Sequence, residues 1–474
     1  MRPGVSCGTR EGYGFVAPRF QAEIREDGLD HHGTATAVDP AAFIDGQAVG
    51  RPQLHVLLLC AAVLFADGFD TQAIGYVAPD LAREWGLGRG VLGPVFSTGL
   101  FGLMLGALGF SPLADRVGRR RVIVASTVAF GVLTLATVFA EGVWSLAVLR
   151  FLTGLGLGGA MPNAVALTAE VSPHRRRATM VMAMFCGFSV GAALGGLLAA
   201  AVIPVWGWRG VFVIGGVAPL VLAVVLLRGL PESPRFLASR GRASEAAGVM
   251  ARLFPRHPFA PGTVFATAVE RGGMPVAALF QDGRARTTVL LWTVFFMSLL
   301  DLYFLSNWLP TVLNDLGVSL SASSAIGAML QVGGVAGTFA LGTVVDRFSF
   351  RALALTYLGA AVAIGAIGLS THSIPLATGA IFAAGFCIVG GQIAANALGA
   401  GFYPTAARAT GVGWALGIGR VGSIVGPWVG GMLLAQQWTP RGLFLVAAVP
   451  ALLAASAALA LELRTPAGAC GDVA

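Results

Sequence analysis

The sequence predicts an all-α polytopic membrane protein, with twelve transmembrane helices in two pseudo-symmetric six-helix bundles. Three observations carry that prediction: apolar runs of bilayer length recur along the chain, charge is scarce, and the second half repeats the first at a constant offset. Of 474 residues, 56% are hydrophobic and only 11% are Asp, Glu, Lys or Arg, whereas a soluble domain carries about 25% charged residues. Runs of roughly 20 apolar residues each cross a hydrocarbon core of about 30 Å. The 66 glycines fit membrane helices that pack closely through small residues.

Taken in order, residues 1–51 are polar and mixed in charge, with Gly and Pro throughout. They lack the apolar core of a secretory signal. They read as a disordered cytoplasmic tail or, equally, as the product of an over-long gene model. Apolar runs at roughly 54–78, 91–113, 121–140, 145–169, 178–203 and 208–228 make an N-terminal bundle over 52–229. A polar central loop follows over 230–285. Runs at roughly 287–309, 322–345, 352–371, 375–399, 411–434 and 442–462 make a C-terminal bundle over 286–464, and residues 465–474 form a short tail.

Arginines set the orientation, because loops rich in Lys and Arg stay in the cytoplasm. With the N-terminus inside, the inner loops hold Arg116, Arg119–Arg121, Arg175–Arg177, several of the central loop, Arg347, Arg351 and Arg408. The outer loops hold only Arg83, Arg89, Arg209 and Arg441. Both termini are therefore expected in the cytoplasm. The chain has no Lys, and its net charge of +8 lies in short loops between spans, which excludes a nucleic-acid partner. The five cysteines have no C-x-x-C spacing, so they form neither a metal site nor a disulfide framework.

The repeat is explicit. LADRVGRRR (113–121) resembles VVDRFSFR (344–351), and SPHRRRATMV (172–181) resembles YPTAARATGV (403–412). One shift of 231 residues carries Asp115 onto Asp346, Pro173 onto Pro404, Arg177 onto Arg408, Pro79 onto Pro310 and Asp70 onto Asp301. Parallel repeats of this kind build transporters in which two bundles rock about a site at the bilayer midplane.

ADRVGRRR resembles the signature Gly-x-Leu-Ala-Asp-Arg-x-Gly-Arg that the major facilitator superfamily carries between spans 2 and 3. Ser111 stands where its first Gly is expected, followed by Pro112, and in the second copy Ser349 and Phe350 replace the Gly-Arg pair. PESPRFL (231–237) after span 6 is also typical of that superfamily. Within it, DGFDTQAIGYVAP (67–79) resembles the span 1 marker of the aromatic acid:proton symporters. RFLTGLGLGGAMPN (150–163), NWLP (307–310) and FYPTAARATGVGWALGIGR (402–420) fit the same group, and the resemblance covers about residues 52–464.

The resemblance implies a secondary transporter without a cofactor, in a bacterial cytoplasmic membrane. It implies proton-coupled uptake of an aromatic carboxylic acid, such as 4-hydroxybenzoate, by alternating access, and a functional monomer. It makes Asp67 and Asp70 proton-coupling residues. It also makes Asp115, Arg116 and Arg119 a gate at the cytoplasmic end of span 2, with Asp346 as the weaker counterpart; positive-inside topology explains part of that arginine cluster as well. Asp301 belongs to no pattern of the group, and its coupling role rests on the repeat alone.

The residues themselves support a site at this depth. An ionisable group at mid-bilayer costs about 2.5–3.5 kcal/mol on insertion scales, and such groups mark ion or substrate pathways. Asp67 and Asp70 are three apart, so one helix face can carry both. Two close carboxylates in a dry site repel, and one then holds a proton more readily. The alternative is a pair of helix-end acids bonded to backbone or small polar neighbours, and for Asp301 an ion pair with an arginine.

An aromatic acid is an anion, so its site needs a buried cation. Two arginines lie well inside spans, Arg150 and Arg420. Arg holds a carboxylate by two parallel hydrogen bonds. Arg420 maps onto Ser189 in the other half, an asymmetry that suits a substrate contact. Ion pairing between helices is the alternative for both, and Arg150 lies nearer the outer face, where an aspartate can pair with it. A benzene ring needs flat apolar walls and a few polar groups. Candidate walls are Tyr76, Phe185, Phe295, Tyr303, Trp308 and Trp414, though most aromatic residues in spans merely pack or sit at the interface. Candidate polar contacts are Gln392 and Asn396, with Asn163 and Gln331, for which interhelical hydrogen bonds are the alternative.

GLGLGG (154–159) fits G-x-G-x-x-G but lies inside a span rather than after a strand, so it marks close helix packing and not a nucleotide site. No enzyme motif is present. The rival functions are a facilitator for a sugar, a non-aromatic acid or an exported drug, and a membrane sensor of aromatic acids. Bringing one anion into a negative cell costs about 2.3 kcal/mol per 100 mV. One proton per anion cancels that cost and a second makes uptake electrogenic; the residues leave both open.

Overall fold

A computed structural model describes residues 37–463, apart from 89, 258, 260–262, 266–275, 282–283, 371–372 and 403–404. Helix α1 (Pro40–Asp45) precedes α2 (Arg51–Glu84), α3 (Gly93–Val117), α4 (Arg119–Ala136), α5 (Val143–Glu170) and α6 (His174–Gly229). Two short helices, α7 (Pro234–Ser239) and α8 (Ala243–Leu253), lie in the central loop. Then come α9 (Ala285–Asp315), α10 (Leu320–Leu369), α11 (Ile374–Phe402), α12 (Thr405–Ala435) and α13 (Pro440–Glu462).

Among the described residues, 11 helical stretches are long and apolar enough to cross a membrane. One of them, α6, has 56 residues and is broken at Gly207, whose φ of 64° and ψ of −172° are not helical. Gly adopts that left-handed φ without the clash of a Cβ. The carboxylate of Asp80 on α2 receives the Trp208 N–H at 3.0 Å, which fixes the turn. Counting α6 twice gives the twelve crossings that the run lengths predict. The crossings extend beyond the apolar runs because their charged ends continue the helix, as Arg51 and Glu84 do on α2. Between α3 and α4 the chain turns at Gly118, with φ 108°. A side chain there would also collide with the Glu232 carboxylate.

The repeat is visible in the packing. In the N-terminal half Gly102 of α3 lies against the Phe151 carbonyl of α5, and in the C-terminal half Gly333 of α10 lies against the Phe382 carbonyl of α11. Gly154 against the Gly99 carbonyl recurs as Gly385 against the Leu330 carbonyl. Gly191 against the Phe65 carbonyl recurs as Gly422 against the Phe296 carbonyl. Each pair is related by 231 residues on both sides of the contact, so the two halves share backbone geometry as well as sequence. Gly154 and Gly158 of GLGLGG are both in such close approaches, as its setting inside a span predicts.

The expectation of a disordered tail over 1–51 needs correction for residues 37–50. Strand β1 (Ala37–Val38) pairs in parallel with β2 (Val264–Phe265) of the central loop. Helix α1 buries Ile44, and Phe43 packs edge-on to Phe254, with ring centroids 5.3 Å apart. The Asp45 carboxylate receives the His174 N–H at 2.7 Å and lies 3.6 Å from Arg177. Contacts with residues far along the chain hold this segment, which local composition does not show. Residues 1–36 and 464–474 lie outside the described residues.

The two bundles meet most closely at the end opposite the arginine-rich loops. There Trp308 of α9 donates to the Pro427 carbonyl of α12 at 2.8 Å, and Ser97 of α3 donates to the Ile424 carbonyl at 2.8 Å. Ser321 and Ser324 of α10 donate to the carbonyls of Ala200 and Tyr76, at 2.7 and 3.3 Å. Gly75 of α2 lies against the Ser306 carbonyl. The bundles are thus sealed at one end, below which the buried polar residues lie.

Candidate functional site

Asp67 and Asp70 sit near the middle of α2 and are fully buried, but their surroundings differ. Asp70 receives the Thr134 hydroxyl of α4 at 2.6 Å. It also receives one guanidinium nitrogen of Arg150, on α5, at 3.0 and 3.2 Å. The Arg150 guanidinium lies over the Phe212 ring, 5.3 Å from its centroid. Both ions of this pair are nearly inaccessible, with side-chain exposures of 4% and 2%. Removing one partner of such a pair costs about 3–5 kcal/mol, because it strands the other charge. The structure therefore places Arg150 as the partner of Asp70, the ion pair that stood as the alternative to a substrate contact. A cavity of about 30 Å³ adjoins the pair, lined by Asp70, Thr71, Arg150, Asn307 and apolar residues of α2, α3 and α5. It exceeds the roughly 10–15 Å³ that one water needs.

Asp67 receives only the Thr71 hydroxyl, at 3.0 Å. Its second carboxylate oxygen is buried and has no partner. Arg420, half-buried on α12, is near enough to act on Asp67 electrostatically but makes no ion pair with it among the described residues. The guanidinium donates instead to the Tyr303 hydroxyl at 3.3 Å and the Met161 sulfur at 3.3 Å. Both are long contacts to neutral partners. The centre thus holds an incompletely bonded carboxylate, an incompletely bonded guanidinium, a phenol and a thioether, from α2, α12, α9 and α5. An anion with a flat apolar body suits it: Arg binds a carboxylate bidentately, and methionine sulfur packs well on aromatic rings.

Other candidates have different tasks. Tyr76 is buried and donates to the Ala192 carbonyl at 3.0 Å. Trp308 packs edge-on to Phe96 at 4.9 Å. These two close the bundles at the sealed end instead of walling the centre. Trp414 is 44% exposed and stacks on Trp292 at 5.9 Å, so it is not brought to Arg420. Phe295 is buried against Gly419, and Phe185 packs against the N-terminal core. Gln392 donates to Asn396 at 3.1 Å along α11, leaving its own oxygen without a partner. Asn163 donates to the Gly159 carbonyl at 2.8 Å, and Gln331 to the Ser306 hydroxyl at 3.4 Å.

Asp301 is buried on α9, and neither carboxylate oxygen has a hydrogen-bond partner. The expected ion pair with an arginine is not there among the described residues. The hydroxyls of Ser298 and Tyr357 are also buried; they lie close enough to act on each other, though outside strict hydrogen-bond geometry, and Tyr357 is close enough to Asp301 to interact electrostatically.

At the arginine-rich end, Asp115 and Arg119 form an ion pair at 2.5 Å, and Arg119 also reaches Glu170 of α5 at 3.4 Å. The Asp115 carbonyl receives Arg240, beyond α7, at 2.9 Å. Glu232 accepts the Arg120 N–H at 3.1 Å. Arg116 is exposed, and the side chain of Asp346 lies outside the described residues. Sequence reasoning missed Thr134, Met161, Ser298, Tyr357, Glu170 and Glu232. Thr71 was legible, because it follows Asp67 by one helical turn, and so was Ser298, three residues before Asp301 on the same helix; the others come from distant elements.

The Major Facilitator Superfamily model matches residues 60–418 and 291–469. The chain is 44% identical over 434 residues to the 4-hydroxybenzoate transporter PcaK of Pseudomonas aeruginosa, covering 89% of this chain and 95% of that protein. It is 42% identical over 428 residues to the gallate transporter of Pseudomonas putida, covering 89% and 95%. It is 34% identical over 423 residues to the benzoate transport protein of Acinetobacter baylyi, covering 87% and 90%. Among solved structures, it resembles an inward-facing, occupied bacterial homologue of the human lysosomal transporter Spinster, with TM-score 0.71, 18% identity and coverage of 88% and 98%. It also resembles the xylose transporter XylE of Escherichia coli in a partially occluded inward-open conformation, with TM-score 0.68, 16% identity and coverage of 88% and 98%. Those two likenesses are of fold alone. On its sequence, its paired bundles and its relatives, the chain belongs to the Major Facilitator Superfamily.

Proposed function

We propose that the protein imports an aromatic carboxylic acid of the 4-hydroxybenzoate type together with protons, by alternating access across the bacterial cytoplasmic membrane, with both termini inside. The named relatives support the substrate class. One observation carries the mechanism: Asp67 and Arg420 lie within electrostatic reach, and each keeps unused bonding capacity.

In the empty carrier the Asp67 carboxylate balances the Arg420 guanidinium. The substrate carboxylate takes over Arg420, and Asp67 is then a second negative charge beside one cation. A proton on Asp67 restores neutrality, so the anion and one proton cross together. Tyr303 and Met161 flank the ring. Asp70 and Arg150 hold α2 to α5 through the cycle and keep Asp67 in place. With the far end sealed by Trp308 and Tyr76, the site faces the arginine-rich end, which is the cytoplasmic release side. The Asp115–Arg119–Glu170 cluster rearranges as that end closes. One chain carries both bundles and the whole site, so a monomer suffices.

The test is uptake of labelled 4-hydroxybenzoate into proteoliposomes with and without an inward proton gradient. Accumulation that needs the gradient, competed by benzoates and not by hexoses, is expected. Competition by hexoses or by non-aromatic acids alone would refute the substrate class. Gradient-independent accumulation would refute proton coupling.

A further inference from the structure

We propose that Asp301, with the hydroxyls of Ser298 and Tyr357, is a second proton site, so that two protons enter with each monovalent anion. This rests on the proton-coupled reading above and settles its stoichiometry.

The buried or half-buried Asp and Arg side chains well inside the spans, among the described residues, are Asp67, Asp70, Asp301, Arg150 and Arg420. Asp70 and Arg150 cancel as an ion pair. Asp67 and Arg420 balance each other in the empty carrier. Asp301 is left over. Helices α2, α10, α11, α12 and α13 pack on α9. From α10 the titratable neighbour is Tyr357. Arg420 of α12 is directed at Tyr303 and Met161, and Asp67 and Asp70 of α2 are engaged as described. The described parts of α11 and α13 face it with no charged group. The position that corresponds to Arg150 is Ile381, which is apolar and buried. Among the described residues nothing neutralises an ionised Asp301 in this conformation, so it sits here as the neutral acid.

A permanently neutral acid would be held by bonds to its carboxyl group, and Asp301 has none. The two hydroxyls beside it can donate to the carboxylate form and accept from the acid form, so they can serve Asp301 in either state. A buried carboxyl group that leaves its bonding capacity unused is costly, and with two hydroxyls beside it the group makes sense as a site used in another step of the cycle. With the bundles open at the far end, Ser298 and Tyr357 donate to the ionised carboxylate, which takes a proton. The rocking movement carries that proton inward to the state described here. Release to the cytoplasmic side returns an ionised Asp301, so one net positive charge moves inward per anion.

The experiment is uptake of labelled 4-hydroxybenzoate into proteoliposomes in sodium-free buffer. The pH gradient and a potassium-diffusion potential are varied separately. Two protons per anion predict accumulation that rises hundredfold per pH unit and tenfold per 59 mV of inside-negative potential. In Asp301→Asn the expected response falls to tenfold per pH unit and none to potential, while Asp301→Glu restores both. A wild-type protein that ignores the potential overturns the second site and leaves one-proton symport standing. Indifference to both gradients overturns the proton-coupled reading itself. An Asp301→Asn variant that keeps the wild-type responses overturns the proposal, as does uptake current that requires sodium. If Asp301→Asn is silent even in substrate exchange, Tyr357→Phe decides: a shifted pH profile of electrogenic uptake supports the site, and an unshifted one overturns it.

Discussion

Asp70 and Asp301 occupy the same place in two halves that share their backbone contacts, yet one is fully bonded and the other has no hydrogen-bond partner among the described residues. Asp70 has Arg150, Thr134 and a small polar cavity. At the positions that match Arg150 and Thr134, the C-terminal half has Ile381 and Gly365. A buried carboxylate is thus ion-paired where the repeat supplies a cation, and without an ion pair among the described residues where it does not. The fold repeats the position of the acid, and its neighbours decide its task.

The comparison breaks most readily at the ion pair. Arg150→Leu is expected to destabilise the folded protein by about 3–5 kcal/mol through the stranded charge of Asp70, while Asp301→Asn leaves stability unchanged or raises it. Thermal unfolding in detergent measures both, and equal losses would erase the distinction. Adding Asp70→Asn to Arg150→Leu should recover much of the loss.

At the centre, Asp67→Asn is expected to abolish accumulation while leaving substrate binding, measurable as exchange. Arg420→Lys, which keeps the charge but removes the planar fork, is expected to weaken binding about 10- to 100-fold, as a lost charge-assisted hydrogen bond of about 1.5–3 kcal/mol implies. Comparison of KM values for uptake checks it, and an unchanged KM would remove Arg420 from the site.

Smaller effects belong to the arginine-rich end. Asp115 is 66% exposed on its side chain, and exposed ion pairs contribute about 0.2–1 kcal/mol. Asp115→Asn should therefore change the uptake rate only several-fold, with KM little affected. The smallest effect is expected for Asp45→Ala, which loses the His174 N–H contact and the Arg177 pairing. It should lower the melting temperature by a degree or two, with uptake unchanged. A large loss of transport in that variant would make the 37–50 segment part of the moving machinery.

Much of the fold was legible before any coordinates. Length and hydropathy give the crossings, since a bilayer needs a run of apolar residues that local composition displays. The 231-residue register was legible too, and Gly102 with Gly333 shows that it extends to backbone contacts. Asp67, Asp70, Asp301, Arg150 and Arg420 stood out because a charge in an apolar run is visible in one dimension. What each of them touches was not. Tyr76 and Trp308 looked like pocket walls and are bonded to backbone carbonyls at the end where the bundles meet, because an aromatic ring in a span has the same local signature in either setting. Residues 37–50 looked like tail because their partners, Phe254, Val264 and His174, are more than a hundred residues away. The sequence by itself determined how many helices cross, which face the basic loops share, and which charges must be buried. Only the tertiary structure decided that Arg150 belongs to Asp70, that Arg420 makes no ion pair with Asp67 among the described residues and that Asp301 has no ion pair among them. Those pairings depend on which helices approach within hydrogen-bond reach, and that is set by close packing between segments far apart in the chain.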